Sequence, residues 1–147
     1  MTDIRYLKFS IGVATVACVF FIFSFGSPYW YESRWRAHSP FVRIGLWEAC
    51  FDGFVHPSDA MNKAYNGCMW IFSKEFFWIR FWLLPGWFVA TQILATLAFI
   101  GAIGSYFIML YMYLQPSKDV HRNYHVSCVS LMLCAAVFQL TAILVFG

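Results

Sequence analysis

The sequence predicts an integral membrane protein built as a helical bundle, with a small antiparallel β-sheet in the long loop after the first helix. Only 12% of the 147 residues are charged and 61% are hydrophobic, whereas about a quarter of the residues in a soluble domain are charged. Three stretches contain no Asp, Glu, Lys or Arg: 9–31, 81–117 and 123–147. Each exceeds the roughly 20 residues that a helix needs to cross the hydrocarbon core. This composition argues against a soluble enzyme, and a net charge of +3 gives no reason to expect a nucleic-acid partner.

Helix one is predicted over residues 9–27. The apolar run at 9–25 is longer than the core of a signal peptide, about 7–15 residues, and no A-x-A cleavage motif follows it. The aromatic residues at 29–31 are typical of a membrane–water boundary. We therefore expect a retained helix, with a cleaved signal peptide as the alternative.

The loop at 28–80 is too rich in large apolar residues to be a linker. Aromatic and β-branched residues at 29–36, 41–47 and 68–72 predict short strands. Asp52-Gly53, Pro57-Ser58-Asp59 and Asn66-Gly67 predict turns between Cys50 and Cys68, with one helical turn beginning at Pro57. Ser73 is expected to be the N-cap of a short helix leading into the membrane.

Two of the five cysteines, Cys50 and Cys68, lie in this polar loop, and the other three lie within apolar helices. A lone pair of cysteines in a polar loop indicates a disulfide, and disulfides persist outside the cytosol. The loop is therefore expected to be an extracellular sheet held by a disulfide. Two free thiols in a cytosolic loop are the alternative, because the Lys and Arg counts on the two sides do not decide the orientation.

Residues 81–114 are predicted to hold helix two, which is expected to begin near Pro85 because proline is tolerated in a first helical turn. A short cytosolic loop is predicted over 115–125 and helix three over 126–147. Helix two carries small residues at 4-3-4-3 spacing, a stripe that allows close approach of another helix. These residues are Thr91, Ala95, Ala98, Ala102 and Ser105. Internal packing of the bundle is the plain interpretation of this stripe, and lateral self-association is the alternative.

The loop also carries a motif that resembles a known family. Trp30, then Gly45-Leu46-Trp47, then Cys50 and Cys68 are similar to the W…GLW…C…C signature of the claudins and their relatives, which include peripheral myelin proteins and calcium-channel gamma subunits. Arg80 resembles the arginine that this family carries just before its second helix. The amino-acid sequence around these positions is most similar to that of invertebrate claudin-like proteins of insect septate junctions.

The resemblance implies a claudin-like fold in which three of four expected helices are present. The family has a fourth helix and a second, shorter extracellular loop, and the sequence in hand ends at Gly147, after the third helix. We expect either a fragment or a short form. The gap between Cys50 and Cys68 is longer than in vertebrate claudins.

The function implied by the resemblance is junction adhesion and a paracellular barrier, at lateral cell–cell contacts of the plasma membrane. The loop is then expected to contact like proteins in the same and neighbouring cells, as homo- or hetero-oligomers surrounded by membrane lipid. Four charges between the strands are candidates for tuning ion preference, with an acidic balance that favours cations. They are Glu48, Asp52, Asp59 and Lys63. An accessory, gamma-like subunit of an ion channel or receptor is the alternative function.

No residue set predicts an enzyme, a cofactor or a small-molecule substrate. The sequence contains no Ser/His/Asp arrangement, no Gly-rich phosphate loop and no carboxylate inside a predicted span. His121 and His125 are four residues apart and share a helical face, as metal ligands do. Because no Cys or carboxylate completes such a set, we expect no metal there.

Overall fold

The structure, a computed structural model, describes residues 2–33, 40–57, 62–115 and 121–147. The chain divides into two compact units, which are treated separately below. The helical unit comprises Met1–Phe25 and Trp87–Gly147, and the sheet unit comprises Gly26–Gly86.

Three long helices form the helical unit: α1 at Thr2–Gly26, α3 at Gly86–Leu114 and α4 at His121–Phe146. Each is long and apolar enough to cross a membrane. Helix α1 begins seven residues before the predicted start at 9, and α4 begins five residues before the predicted start at 126. These extra turns contain charged or polar residues, so a boundary drawn from hydropathy alone places the start of each helix too late.

The segment predicted to hold helix two, 81–114, contains a short helix before Pro85 and the long helix after it. A four-residue helix, α2 at Arg80–Leu83, ends at Leu84, and α3 begins at Gly86. The break lies at Pro85, which has no N–H to donate and which disfavours helical geometry in the residue before it. Leu84 accordingly has φ −114° and ψ 67°, outside the helical region.

The small-residue stripe of α3 is buried within the helical unit. Thr91, Ala98 and Ser105 have no exposed surface, and Ala95 retains 1%. Ala102, also part of the predicted stripe, is half-buried. The stripe is therefore an internal packing surface.

Neighbouring helices contact α3 at defined points. The ring of Phe99 stacks on Phe25 of α1 with centroids 4.5 Å apart. On the α4 side, a Cβ atom placed on Gly101 would lie 3.3 Å from the Cβ of Ala135. The thiol of Cys128 donates to the carbonyl oxygen of Ser105 at 3.5 Å. Small residues thus bring α3 and α4 close together, as in other membrane helix pairs.

Four antiparallel strands form the sheet unit in the order β1-β2-β3-β4. The strands are β1 at Tyr31–Glu32, β2 at Phe41–Ile44, β3 at Glu48–Val55 and β4 at Ala64–Trp70. The two longest, β3 and β4, pair Glu48 with Trp70 at one end and Val55 with Ala64 at the other.

The predicted turns at Asp52-Gly53 and Asn66-Gly67 lie inside β3 and β4. The prediction was wrong here because the glycines produce a local irregularity without ending the strands. Gly53 has φ +69° and lies where the register shifts between Phe51 and Phe54. The side-chain oxygen of Asn66 accepts a hydrogen bond from the Gly53 N–H at 2.6 Å, so this donor is satisfied across the bulge.

The sheet unit has its own apolar core, centred on aromatic rings. Phe51 of β3 and Tyr65 of β4 are 2% and 1% exposed. The ring of Phe76 lies 5.7 Å from both, with no exposed surface of its own. Phe76 ends a 3₁₀ turn at Lys74–Phe76 that follows β4. Ser73 occupies the N-cap position of this turn, as predicted, but its hydroxyl makes no capping hydrogen bond.

Candidate functional site: the disulfide-linked sheet

A disulfide joins Cys50 and Cys68 across the two longest strands. The two residues are directly paired in the β3–β4 register, so the bond connects opposite positions on one face of the sheet. Cys50 is buried and Cys68 is exposed. The three remaining cysteines carry free thiols and lie in the helices. Glu48 lies close to both disulfide sulfurs, but neither sulfur is available as a thiolate ligand for a metal ion.

Gly45 lies in the short connection between β2 and β3, against the chain that leaves α1. A Cβ atom on Gly45 would lie 2.4 Å from the carbonyl oxygen of Ser27 and 2.5 Å from the Cα of Pro28. Both contacts are with backbone, which cannot move aside as a flexible side chain does. Glycine is therefore required here for close approach of two chain segments, and the Gly45 N–H donates to the Glu48 carbonyl at 2.8 Å.

Leu46 and Trp47 follow Gly45 in the β2–β3 connection, where Leu46 fills the core and Trp47 contacts β4. The side chain of Leu46 has no exposed surface and lies in the core. Trp47 stacks on Trp70 with ring centroids 5.9 Å apart, and its carbonyl oxygen accepts from the Ile71 N–H at 2.9 Å. Trp30, the first residue of the motif, is half-buried. The G-L-W sequence thus holds the β2–β3 connection in place.

Arg80 binds the chain segment that follows β4. Its Nη2 donates to the carbonyl oxygens of Phe72 and Ser73, each at 3.0 Å. Arg80 begins α2, so this one guanidinium connects the start of the helix to the end of the sheet. The side chain is half-buried, and its cationic head is directed to backbone within the sheet unit.

Arg43 contacts the disulfide of the candidate site and was not among the site residues predicted from the sequence. It lies in β2 directly opposite Cys50. Its Nη1 donates to the Tyr29 hydroxyl at 2.7 Å, and its guanidinium carbon lies 4.4 Å from the centroid of that ring. Its Nη2 also donates to the Cys68 sulfur at 3.5 Å. The pairing of β2 with β3 and of β3 with β4 brings Arg43 near Cys68, and the chain entering β1 brings Tyr29 near it. No sequence spacing signals these contacts.

The candidate charge positions that the structure describes do not converge on one point. Glu48 and Asp52 lie four residues apart in β3, which separates them by roughly 13 Å at the usual rise per residue of a strand. Lys63 forms an ion pair with Glu75 of the 3₁₀ turn, so its charge is compensated locally. Asp59 lies outside the described residues. Asp52, an exposed carboxylate, and Glu48, a half-buried one, are the acidic candidates that the structure describes.

A family model described as PMP-22/EMP/MP20/claudin tight junction matches residues 15–147. No curated protein and no solved structure matches the chain. The matched region covers the second half of α1, the entire sheet unit and both remaining long helices. The three membrane-spanning helices, the four-stranded sheet and the disulfide agree with this match. The chain is a multi-pass membrane protein that belongs to the PMP-22/EMP/MP20/claudin family.

Proposed function

We propose that the protein is a structural component of a cell junction, in which the sheet unit lies outside the cell and contacts like proteins in the same and neighbouring cells. The Cys50–Cys68 disulfide supports an extracellular position of the sheet unit, because disulfides persist in the oxidising environment outside the cytosol. Family membership fits a junction or barrier role in general terms. We propose further that this junction is a paracellular barrier of the septate-junction type.

The exposed surface of the sheet unit supports a role in contacts. Trp70 is 56% exposed and Phe72 is 43% exposed, although the core of the unit is already filled by other rings. Large aromatic residues that remain exposed beside a closed core are enriched at protein interfaces. In this proposal they contribute contact area between sheets of different molecules, and the role needs no catalytic step.

The proposal is tested by locating the full-length tagged protein in an epithelium and measuring tracer permeability after its removal. We expect enrichment at lateral contacts and leakage of tracer when the protein is lost. A diffuse membrane signal with an intact barrier would remove the proposal. Co-purification at a fixed ratio with a pore-forming protein would instead favour an accessory subunit of a channel or receptor.

The acidic positions extend the proposal to ion preference. With Lys63 paired to Glu75, the exposed charge of β3 is that of Asp52, and Asp59 adds a second acidic residue nearby in sequence. Acidic side chains that line a narrow space concentrate cations and repel anions there. We therefore expect the pathway beside this sheet to favour cations.

Charge reversal with dilution-potential measurements tests this preference. Asp52→Lys combined with Asp59→Lys should shift the potential toward anions, and Asp52→Asn should give a smaller shift in the same direction. Asp119→Lys is the matched control, because the loop at 115–125 is expected on the cytosolic side. An unchanged dilution potential in the double variant, at normal junctional levels of protein, would contradict a role of Asp52 and Asp59 in ion preference.

A further inference from the structure

The segment between the 3₁₀ turn and α3 presents an unusual aromatic surface. Its aliphatic residues face inward, with Ile79 1% exposed and Leu83 6% exposed. Its aromatic residues face outward instead. We call these four residues the aromatic face: Phe77 (63% exposed), Trp78 (61%), Phe81 (96%) and Trp82 (50%).

The aromatic face carries no charge. Within residues 76–83, all of which the structure describes, Arg80 is the sole charged residue. Its Nη2 donates to the carbonyl oxygens of Phe72 and Ser73, so this nitrogen is engaged by the protein. The rings of Phe77 and Trp78 contact each other with centroids 5.4 Å apart. Four exposed rings within six residues, with no cation or carboxylate exposed among them, are unfavourable in water.

Covalent connection keeps this face near the bilayer. Phe81 precedes Gly86, the first residue of the membrane-spanning α3, by five residues. Five residues reach at most about 18 Å even when fully extended. Helix α3 has 29 residues and is therefore about 43 Å long, more than the roughly 30 Å of hydrocarbon, so its ends lie in or beyond the headgroup layers.

We propose that the aromatic face lies in the headgroup layer and binds the lipid surface beside the start of α3. Indole and phenyl rings are enriched at this depth, where one side of the ring contacts acyl chains and a polar N–H can remain hydrated. The lack of charge on the face matches this environment better than it matches a protein partner, whose recognition generally uses charged or polar groups at its rim.

This placement fixes the sheet unit to the membrane through Trp82. The indole of Trp82 stacks on Phe54 of β3 with centroids 5.3 Å apart, and the ring of His56 lies 5.0 Å away. One side chain therefore contacts the sheet and also belongs to the lipid-binding face. The face anchors the far end of β3, in addition to the covalent connections of the sheet unit to the helices.

Depth-dependent fluorescence quenching tests this proposal on the full chain reconstituted at low density in phosphatidylcholine vesicles. Trp78 is one of seven tryptophans, so Trp78→Phe isolates its emission by difference while preserving an aromatic ring. Trp70→Phe is the matched control: Trp70 is similarly exposed, at 56%, but is directly paired with Glu48. The quenchers are acrylamide in water and lipid brominated near the headgroup end of its acyl chain.

We expect brominated lipid to quench the Trp78 component, and its acrylamide quenching constant to be about threefold lower than that of the Trp70 component. Phe81→Trp should add a further component that brominated lipid quenches. A Trp78 component quenched by acrylamide and unaffected by brominated lipid would overturn the proposal. Shielding of Trp78 from both quenchers would also overturn it and would indicate that protein covers the face.

Discussion

Different kinds of interaction stabilise the interior of the helical unit and the interior of the sheet unit. In the helical unit, small residues such as Ala98 and Ser105 allow close helix packing, and large apolar side chains face outward, for example Phe20 at 70% exposed. In the sheet unit, a disulfide, a glycine under steric constraint and a bridging arginine act at single points. A substitution at one of these points in the sheet should therefore cost more than a comparable substitution in the helices.

The largest effect is expected from removal of the disulfide. The Cys50→Ser, Cys68→Ser double variant should lower the stability of the sheet unit by about 2–5 kcal/mol, because the unfolded loop gains conformational freedom. Limited proteolysis and thermal unfolding in detergent measure the change. Cys134→Ser, at an exposed free thiol of α4, is the control. Equal stability of the two variants would contradict the special role of the sheet disulfide.

The second effect concerns the close approach at Gly45. Gly45→Ala places a methyl group 2.4 Å from the Ser27 carbonyl oxygen, and we expect a loss of about 2–3 kcal/mol as the backbone shifts. Thermal unfolding measures it. Gly12→Ala is the matched control because no atom lies within 4 Å of the added methyl group. That variant should be neutral or stabilised by up to about 1 kcal/mol through helix propensity. An unchanged stability of the Gly45→Ala variant would show that the close approach of Gly45 to Ser27 and Pro28 does not require glycine.

The third effect concerns Arg80. Arg80→Gln removes the charged donor from the carbonyl oxygens of Phe72 and Ser73, and we expect a loss of about 2 kcal/mol. Lys74→Gln removes an exposed cation from the neighbouring 3₁₀ turn and serves as the control. Protease susceptibility after β4 should rise in the first variant only. The same susceptibility in both variants would mean that the guanidinium bridge contributes nothing.

The smallest effect is expected in the helical unit. Gly101→Leu brings a bulky side chain against Ala135, whose Cβ lies 3.3 Å from the position of the added Cβ, and should cost about 1–2 kcal/mol. Gly104→Leu, three residues along α3, has no neighbour within 4 Å and should cost less. Thermal unfolding followed by circular dichroism separates them. If Gly101→Leu cost more than Gly45→Ala, the proposed difference between the units would be reversed.

The long helices were predictable because a membrane requires about 20 apolar residues in sequence, and that requirement is local. The buried stripe of α3 followed from the spacing of small residues for the same reason. The starts of α1 and α4 were missed because helical geometry continues into polar residues beyond the bilayer. Helix two was expected to begin near Pro85, and α3 begins at Gly86, one residue later. The four-residue helix α2 before this proline was not predicted as a separate element.

The sheet was less predictable because its contacts depend on register. The disulfide could be expected from the cysteine count, but the continuation of β3 past Asp52-Gly53 could not, since a bulge and a turn use the same residue types. The steric need for Gly45 arises from Ser27 and Pro28, far away in sequence. The interaction of Arg43 with Tyr29 likewise follows from strand pairing and leaves no signal in spacing.

The central claim is that the sheet unit makes contacts between cells, and a mixed-cell assay tests it most directly. Cells that express the tagged full-length protein are grown with cells that lack it. The account predicts enrichment where two expressing cells meet and none where an expressing cell meets a non-expressing one. The Cys50→Ser, Cys68→Ser variant should lose this enrichment while still reaching the surface. Equal signal along both kinds of border would contradict the claim.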